Sequence, residues 1–192
     1  GVLRLGTFPG TPPTLLASAI TRLKVETPLI HIQIVEAPNE ALLAALREGD
    51  LSMVVGRSPA GGGSEGFDFE FLLKEYFSVV CGAANQAPPP SDSGLAELVD
   101  FPWILPVRSA PLRTSLEVLL LGQCARQPAN TIESICLPVN VALMVAGAYL
   151  AVMQGSLARE HLARGALRML IERLPDLAGE ALKKVTVPIM LI

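Results

Sequence analysis

The first 56 residues alternate between strand-like and helix-like hydrophobic patterns, and this alternation restricts the fold more than any other feature of the sequence. Short apolar runs predict strands at residues 3–5, 30–34 and 51–55. Two segments between them, 12–23 and 40–48, space their apolar residues as one face of a helix. A β-α-β-α-β order is typical of a parallel sheet with crossover helices. The sequence therefore predicts an α/β fold.

The same alternation resumes after residue 75 and predicts a second α/β lobe. Its predicted elements are strands at 76–81, 103–105, 131–135 and 149–153 and helices at 95–100, 112–121, 139–146 and 157–163. The chain ends on a predicted strand at 185–191. The expected organisation is one subdomain of residues 1–75 plus 184–192 and a second of residues 76–183. Within residues 166–184 the pattern does not locate the strand that crosses back to the first subdomain. Residues 59–66 and 87–94, rich in Gly, Pro and Ser, are predicted surface loops.

Helix boundaries are predicted from capping and helix-ending residues. Thr11 is placed to cap the first helix, Asn39 the second, and Ser156 the helix at 157–163. Gly49 and Gly122 are placed just beyond the ends of two helices. The first helix is expected to bury one apolar face, made of Leu15, Leu16, Ala19, Ile20 and Leu23.

Composition excludes two classes of protein. The chain is 51% hydrophobic and 17% charged, which is too apolar for a disordered segment. A mean hydropathy of +0.47 suggests that another subunit covers part of the apolar surface. Fifteen Lys and Arg against eighteen Asp and Glu give a net charge of −3, so the chain by itself is a poor DNA binder.

Residues 134–158 carry no charged side chain and are long enough to cross a bilayer. Pro138 and Gly147 interrupt this run, so a short helix followed by a strand is favoured over a membrane span. The chain does not open on a signal peptide. Three cysteines that form no CxxC pair are expected to be reduced and buried: Cys81, Cys124 and Cys136. A cytoplasmic protein with no membrane partner is predicted.

Two sequence motifs, one for dinucleotide binding and one for hydrolases, match in their residues but lack the secondary structure that each requires. Gly61, Gly63 and Gly66 spell GxGxxG, and residues 62–66 spell GxSxG. Both motifs require a following helix, whereas residues 67–71 alternate like a strand. His31 and His161 have no Cys, Asp or Glu at metal-ligand spacing, so neither a metal site nor a Ser-His-Asp set is expected. No catalytic residue, no metal and no cofactor are predicted, and an enzyme is not indicated.

A family resemblance emerges from four blocks of sequence. They are RLKVETPLIHIQIVEAPNEALLAALREGDLSMVVGR at 22–57, FPWILP at 101–106, SAPLR at 109–113 and VAG at 145–147. Together they resemble the effector-binding domain of LysR-type transcriptional regulators. The block at 37–57 is most similar to the subgroup named for galactose-binding-protein regulators. The likeness is specific at 31–57 and looser after residue 125.

The resemblance implies a fold and a function. The fold is two Rossmann-like subdomains joined by crossover strands, similar to type 2 periplasmic binding proteins. The function is sensing of a small-molecule inducer, an organic acid or a sugar, which lies between the two lobes. The active form is a homodimer or homotetramer that contacts DNA only through an N-terminal helix-turn-helix domain, which this sequence does not contain.

The resemblance also places inducer contacts in the loops that follow strands. For Thr11, Asn39 and Ser109 the alternative is helix capping alone, and for the prolines it is turn formation. Arg57 is the sharpest case, because a cation at the end of a central strand either pairs with an internal carboxylate or binds an anionic ligand. We favour the ligand. The complete set is Phe8, Pro9, Gly10, Thr11, Pro38, Asn39, Arg57, Ser109, Ala110, Pro111, Leu112 and Arg113.

Two other functions fit the same architecture. A solute-binding protein of a transport system shares the two-lobed fold and requires a secretion signal in its full gene. An enzyme of this shape requires clustered acid and base residues, and none is apparent in the sequence. The full-length reading frame separates these alternatives, because a helix-turn-helix segment upstream indicates a regulator and a signal peptide indicates transport.

Overall fold

The computed structural model of the protein describes residues 1–57, 66–87, 94–174, 177 and 180–186. The chain divides into two units, one made of Gly1–Glu75 with Glu180–Ile192 and the other of Tyr76–Gly179. Each unit contains a five-stranded sheet. The predicted α/β class is confirmed. Most of the two predicted loops at 59–66 and 87–94, and residues 187–191 of the last predicted strand, lie outside the described residues.

The elements follow one another along the chain in an order close to the predicted one. They are β1 (Val2–Thr7), α1 (Pro13–Glu26), β2 (His31–Glu36), α2 (Asn39–Glu48), β3 (Met53–Gly56), β4 (Asp68–Glu75), β5 (Phe77–Gly82), α3 (Leu95–Leu98), β6 (Trp103–Leu105), α4 (Pro111–Cys124), β7 (Thr131–Glu133), α5 (Leu137–Ala146), β8 (Leu150–Gln154), α6 (Gly155–Ala163), β9 (Leu167–Ile171) and β10 (Glu180–Thr186).

The sheet of the first unit has the strand order β2-β1-β3-β10-β4. Strands β1, β2 and β3 are parallel, as the β-α-β-α-β pattern predicted, and β10 is antiparallel to both β3 and β4. Helix α2 packs its leucines into a core that includes Leu5, Leu42, Leu46 and Val54. Gly6 lets α2 approach, because a Cβ there would lie 2.9 Å from Leu42 Cδ2.

Helix α1 buries less of its apolar face than its pattern suggested, and strand β2 is largely exposed. None of the residues of α1 is fully buried, and the five apolar residues expected on its inner face are half-buried or exposed. Strand β2 is at the sheet edge, and Ile34 is 54% exposed. The apolar periodicity correctly identified a helix and a strand. Leu15, Leu16 and Ile20 of α1 pack against the core without being fully buried, so the expected buried face is only partly formed.

The sheet of the second unit has the order β7-β6-β8-β5-β9. Strands β6, β7 and β8 are parallel, and β5 is antiparallel to β8 and β9. The core surrounds Trp103, which is fully buried and donates its indole N–H to Leu98 O at 2.8 Å. Strand β5 packs closely on α5 at Gly82, where an added Cβ would lie 2.9 Å from the carbonyl carbon of Met144 and closer still to its oxygen.

Several boundaries differ from the prediction. The N-cap positions of α1, α2 and α6 are Pro12, Pro38 and Gln154, and none of them makes a side-chain capping bond. Thr11, Asn39 and Ser156 are therefore not the caps. Gly122 lies inside α4, which ends at Cys124 and is followed by Ala125 in a left-handed conformation with φ 55°. Gly49 ends α2 with φ 82°, as predicted.

Two further expectations need correction. Strand β9 was not predicted, and β10 begins at Glu180, five residues before the predicted strand. Of the three cysteines, Cys81 is buried, Cys124 is half-buried and Cys136 is exposed, so burial was wrong for Cys136. The uncharged run 134–158 forms α5, β8 and the start of α6. Within the described part of the chain, no helix is both long enough and apolar enough to span a membrane.

Candidate functional site

The carboxyl ends of the three parallel strands of the first unit lie at one edge of its sheet. Thr7, the last residue of β1, is in register with Glu36 of β2 and Val55 of β3. The segments that follow, residues 8–12, 37–38 and 57, therefore start side by side. In open α/β sheets this is the edge at which ligands bind. All seven inducer contacts predicted in the first half of the chain belong to these segments or to the first residue of α2.

The loop after β1 is tied to β3. The Thr11 backbone N–H donates to Phe8 O at 2.9 Å, and the Thr11 hydroxyl donates to Val55 O at 3.4 Å. Phe8, Gly10 and Thr11 are buried, whereas Pro9 is exposed. The hydroxyl expected to cap α1 thus connects the first loop to the end of the third parallel strand.

Asn39 connects the start of α2 to the same strand. The Arg57 backbone N–H donates to Asn39 Oδ1 at 2.8 Å, and Asn39 Nδ2 donates to Arg57 O at 3.2 Å. Asn39 is 5% exposed. Gly56 leaves room for this amide, since a Cβ there would lie 2.6 Å from Asn39 Oδ1. Asn39 acts as a bridge rather than as a cap, and neighbouring Pro38 is exposed.

The Arg57 side chain lies on an aromatic ring. Its Cζ is 4.8 Å from the centroid of the Phe8 ring, within the range of a cation–π interaction. Phe8 is buried and Arg57 is half-buried. The structure therefore brings the first loop, the start of α2 and the cation that follows β3 into one constellation of Phe8, Thr11, Asn39 and Arg57, which we call the Arg57 edge.

The predicted contacts in the second unit surround the start of α4. Ser109 is exposed, Ala110 and Leu112 are half-buried, and Pro111 is the first residue of the helix. The Ala110 backbone N–H donates to Val107 O at 2.9 Å, which closes the turn before α4. The N-cap position of α4 is occupied by Ala110, so Ser109 is not the cap.

Arg113 is bound to two carboxylates and one carbonyl. Its Nε donates to Glu117 Oε1 at 2.6 Å, and its Nη1 donates to Pro106 O at 2.7 Å and Glu133 Oε1 at 3.0 Å. Burial lowers the pKa of Arg113, but hydrogen bonds to Glu117 and Glu133 and the charges of both outweigh it, so the pKa is raised. Arg113 thus holds α4, the loop after β6 and the end of β7 together as a permanent cation.

Sequence reasoning missed three charged residues in this cluster. Glu117 and Glu133 bind Arg113, and the Arg108 Nε lies 3.8 Å from Glu133 Oε1 with its side chain 81% exposed. The Arg113–Glu117 pair could have been found from its i,i+4 spacing on a helix. Glu133 is 20 positions from Arg113, and no local pattern connects them.

The described residues provide no candidate metal centre. Within residues 1–57, 66–87, 94–174, 177 and 180–186, no group of three or more His, Cys, Asp and Glu side chains could hold an ion. His31 is exposed on β2 and His161 is half-buried on α6. Of the GxGxxG and GxSxG matches, only Gly66 is described, with φ 82° in a turn directly before β4. The other residues of both motifs lie outside the described part.

The sequence is similar to those of known transcriptional regulators. PcaQ of Agrobacterium fabrum, an HTH-type transcriptional regulator, is 30% identical over 120 residues, covering 62% of this chain and 39% of PcaQ. GbpR of Azospirillum brasilense, also an HTH-type transcriptional regulator, is 26% identical over 148 residues, covering 75% of this chain and 42% of GbpR. The chain thus spans about two fifths of the length of the regulators it matches.

A solved structure shares the fold. The regulatory domain of CcmR from Synechocystis PCC6803, in complex with 2-PG, superposes with a TM-score of 0.74 at 13% identity, covering all of this chain and 90% of that one. At this identity the likeness concerns the fold alone. The model of the LysR substrate binding domain matches residues 1–181. The resemblance predicted from the sequence is confirmed: the chain belongs to the family of LysR substrate-binding domains.

Proposed function

We propose that this domain senses a small-molecule inducer and thereby controls DNA binding by a full-length bacterial regulator. PcaQ and GbpR are named as HTH-type transcriptional regulators, and the CcmR domain was solved with the small molecule 2-PG, which supports the proposal. DNA contact is assigned to a helix-turn-helix segment outside this sequence, because the net charge of −3 disfavours contact with phosphates. The working form is a homodimer or homotetramer in the cytoplasm.

The observation that carries the proposal is the Arg57 edge. Hydrogen bonds from Asn39 fix the main chain of Arg57 at the carboxyl ends of three parallel strands, where α/β folds bind ligands, and its guanidinium lies on the Phe8 ring. A planar guanidinium binds carboxylate or phosphate through parallel N–H donors. The inducer is therefore an organic acid in the first instance, and a neutral sugar is the second class to test.

In the second unit, residues 109–113 are proposed as further inducer contacts, as the family resemblance implies. Arg113 spends three hydrogen bonds on Glu117, Pro106 and Glu133. The proposed role of Arg113 is therefore mainly to stabilise the loop before α4. Ser109 and Ala110, at the turn before α4, are the residues that offer a hydroxyl and backbone groups to a ligand.

The proposed mechanism is a shift between conformations of the regulator. An inducer changes an equilibrium only through its different affinities for the two states. Full conversion requires a differential free energy of about 5.5 kcal/mol. Charge-assisted hydrogen bonds from Arg57 provide about 1.5–3 kcal/mol each, so contacts in the oligomer must contribute the rest.

The test is calorimetry of this chain with a panel of organic acids and sugars, repeated with Arg57→Ala. We expect the best organic acid to bind at least about tenfold more weakly to Arg57→Ala, because a charge-assisted bond is lost. Arg47→Ala is the matched control: Arg47 also lies 4.8 Å over an aromatic ring, that of Phe67, but in the last turn of α2. Equal affinities for the wild type and Arg57→Ala would remove the Arg57 edge from the site.

A further inference from the structure

We infer that Phe8 is a positioning residue, which orders the guanidinium of Arg57 for the anionic group of the inducer. The inference rests on the proposed function and deepens it, because it assigns Phe8 a role through Arg57 rather than through direct contact with the inducer. Its basis is the 4.8 Å separation between Arg57 Cζ and the centroid of the Phe8 ring.

The Phe8 ring is itself firmly held. It is 6% exposed and belongs to the core cluster of the first unit, together with Leu5 and Val55. Its carbonyl accepts the Thr11 N–H, and Thr11 in turn donates its hydroxyl to Val55 O. Because the ring and its loop are fixed by the core and by β3, the ring can act as a rigid surface for a long side chain.

The main chain of Arg57 is fixed from the other side. Asn39 accepts the Arg57 N–H and donates to the Arg57 carbonyl, so the Cα position is set before any ligand arrives. The Arg57 side chain is long and has several rotamers, and ordering a side chain of this kind opposes binding. A ring at 4.8 Å from Cζ restricts that freedom and attracts the cation electrostatically. Pre-ordering of this kind increases affinity without adding a contact.

A second arginine–phenylalanine pair in the same unit offers an internal control. Arg47 Cζ lies 4.8 Å from the centroid of Phe67, which is 8% exposed and belongs to the same core cluster. Arg47 is in the last turn of α2, whereas the Arg57 edge includes the first residue of that helix. Loss of the Phe67 ring thus has a similar effect on the core but does not affect Arg57.

The first measurement is ¹⁵N relaxation of the Arg57 Nε–Hε group in the ligand-free chain. We expect an ordered group in the wild type and in Phe67→Leu, and an order parameter below about 0.6 in Phe8→Leu. Phe8→Trp keeps an aromatic face and is expected to preserve the order of the Arg57 group. Phe8→Met keeps the volume of the side chain without the ring and replaces Phe8→Leu in the experiment if that variant does not fold. An Arg57 group that remains equally ordered in Phe8→Leu or Phe8→Met overturns the inference.

The second measurement uses inorganic phosphate as the anion, followed through the same Arg57 signal. Phe8→Leu is expected to weaken phosphate binding by roughly fivefold, the size of one cation–π contact, and Phe67→Leu to leave it unchanged. If phosphate shifts the Arg57 signal with equal affinity in the wild type and Phe8→Leu, the inference fails and the proposed function stands. If phosphate does not shift the signal in the wild type, Arg57 is not an anion site, and both the inference and the anion-binding role proposed for Arg57 fail.

Discussion

The side-chain amide of Asn39 and the main chain of Arg57 exchange two hydrogen bonds, at 2.8 and 3.2 Å, in the manner of two paired strands. One side chain therefore satisfies both polar groups of a residue just beyond the end of β3. Gly56 is required for this approach, since a Cβ would lie 2.6 Å from the amide oxygen. The bridge connects the start of α2 with the residue proposed to bind the inducer.

We predict that Asn39→Ala lowers the free energy of unfolding by about 1–2 kcal/mol, because it removes two part-buried hydrogen bonds to the main chain of Arg57. It is also expected to weaken inducer binding. Urea unfolding followed by circular dichroism is the appropriate measurement, since Trp103, the single tryptophan, reports on the other unit. The exposed Asn130→Ala is the control and should change stability by less than about 0.5 kcal/mol.

Gly82→Ala is predicted to destabilise the second unit by at least about 2 kcal/mol. The new Cβ would overlap the backbone carbonyl of Met144, and neither β5 nor α5 can move without disturbing the core. Trp103 fluorescence during urea unfolding measures the loss. Gly122→Ala is the opposite case: it lies inside α4 with open space around it, so it should stabilise by about 0.5–1 kcal/mol. Equal stabilities of the two variants would contradict this packing.

The predictable part of the fold is the part that local pattern controls. Strands β1 to β3 and helix α2 were recognised from apolar spacing, and Gly49 adopts the left-handed conformation expected beyond a helix end. The helix caps were wrong for a physical reason. Thr11 and Asn39 have the correct chemistry for capping, but each bonds to a residue of the β3 end that is 44 or 18 positions away. Sequence spacing carries no information about such partners.

Strands β9 and β10 illustrate the same limit. Strand β10 has the sequence EALKKVT, which lacks the regular apolar alternation that predicts a strand. It nevertheless pairs with β3 on one side and β4 on the other. Its position is set by two neighbouring strands from distant parts of the sequence. The candidate site was likewise predicted only in part. Its loops were located from the family resemblance, whereas the Arg57–Phe8 and Arg113–Glu133 contacts are visible only in the structure.

Arg113→Met is predicted to lower the stability of the second unit by about 1–3 kcal/mol. Breaking a buried ion pair leaves its partners uncompensated, but Glu117 and Glu133 are about one-third exposed, which reduces the penalty. Trp103 fluorescence in urea gives the value. Arg126→Met removes the exposed pair with Asp100 and should cost less than about 1 kcal/mol. A larger loss for Arg126→Met than for Arg113→Met would refute the assigned role.

Self-association is expected from the exposed apolar side chains of α1, of β2 and of the segment that joins them. Val25 is 77% exposed, Leu29 94% and Ile34 54%, and no residue of α1 is buried. Covering such a surface with a second copy removes apolar area from water. Sedimentation velocity should show a dimer or larger species, weakened by Leu29→Glu and unchanged by Phe71→Glu on β4. A monomer at every concentration would contradict the proposed oligomer.

Thiol reactivity should separate the three cysteines by burial. Cys136 is exposed and is expected to react first with iodoacetamide, whereas Cys81 reacts only on unfolding. Burial raises the pKa of Cys81, and the nearby charge of Arg168 offsets this only in part; burial likewise raises the pKa of Cys124. Mass spectrometry of the labelled protein gives the order, and labelling of Cys81 before Cys136 in native protein would contradict the structure.

The same shifts predict a pH dependence of stability. A thiol whose pKa is higher in the folded state keeps its proton there after the unfolded chain has lost it, so unfolding becomes easier as pH rises above about 8.5. Unfolding in urea at pH 7 and above pH 9 measures the decline. Replacing Cys81 by Ala removes one titrating thiol and should make the decline shallower. An unchanged slope in Cys81→Ala would show that the buried thiol is not its source.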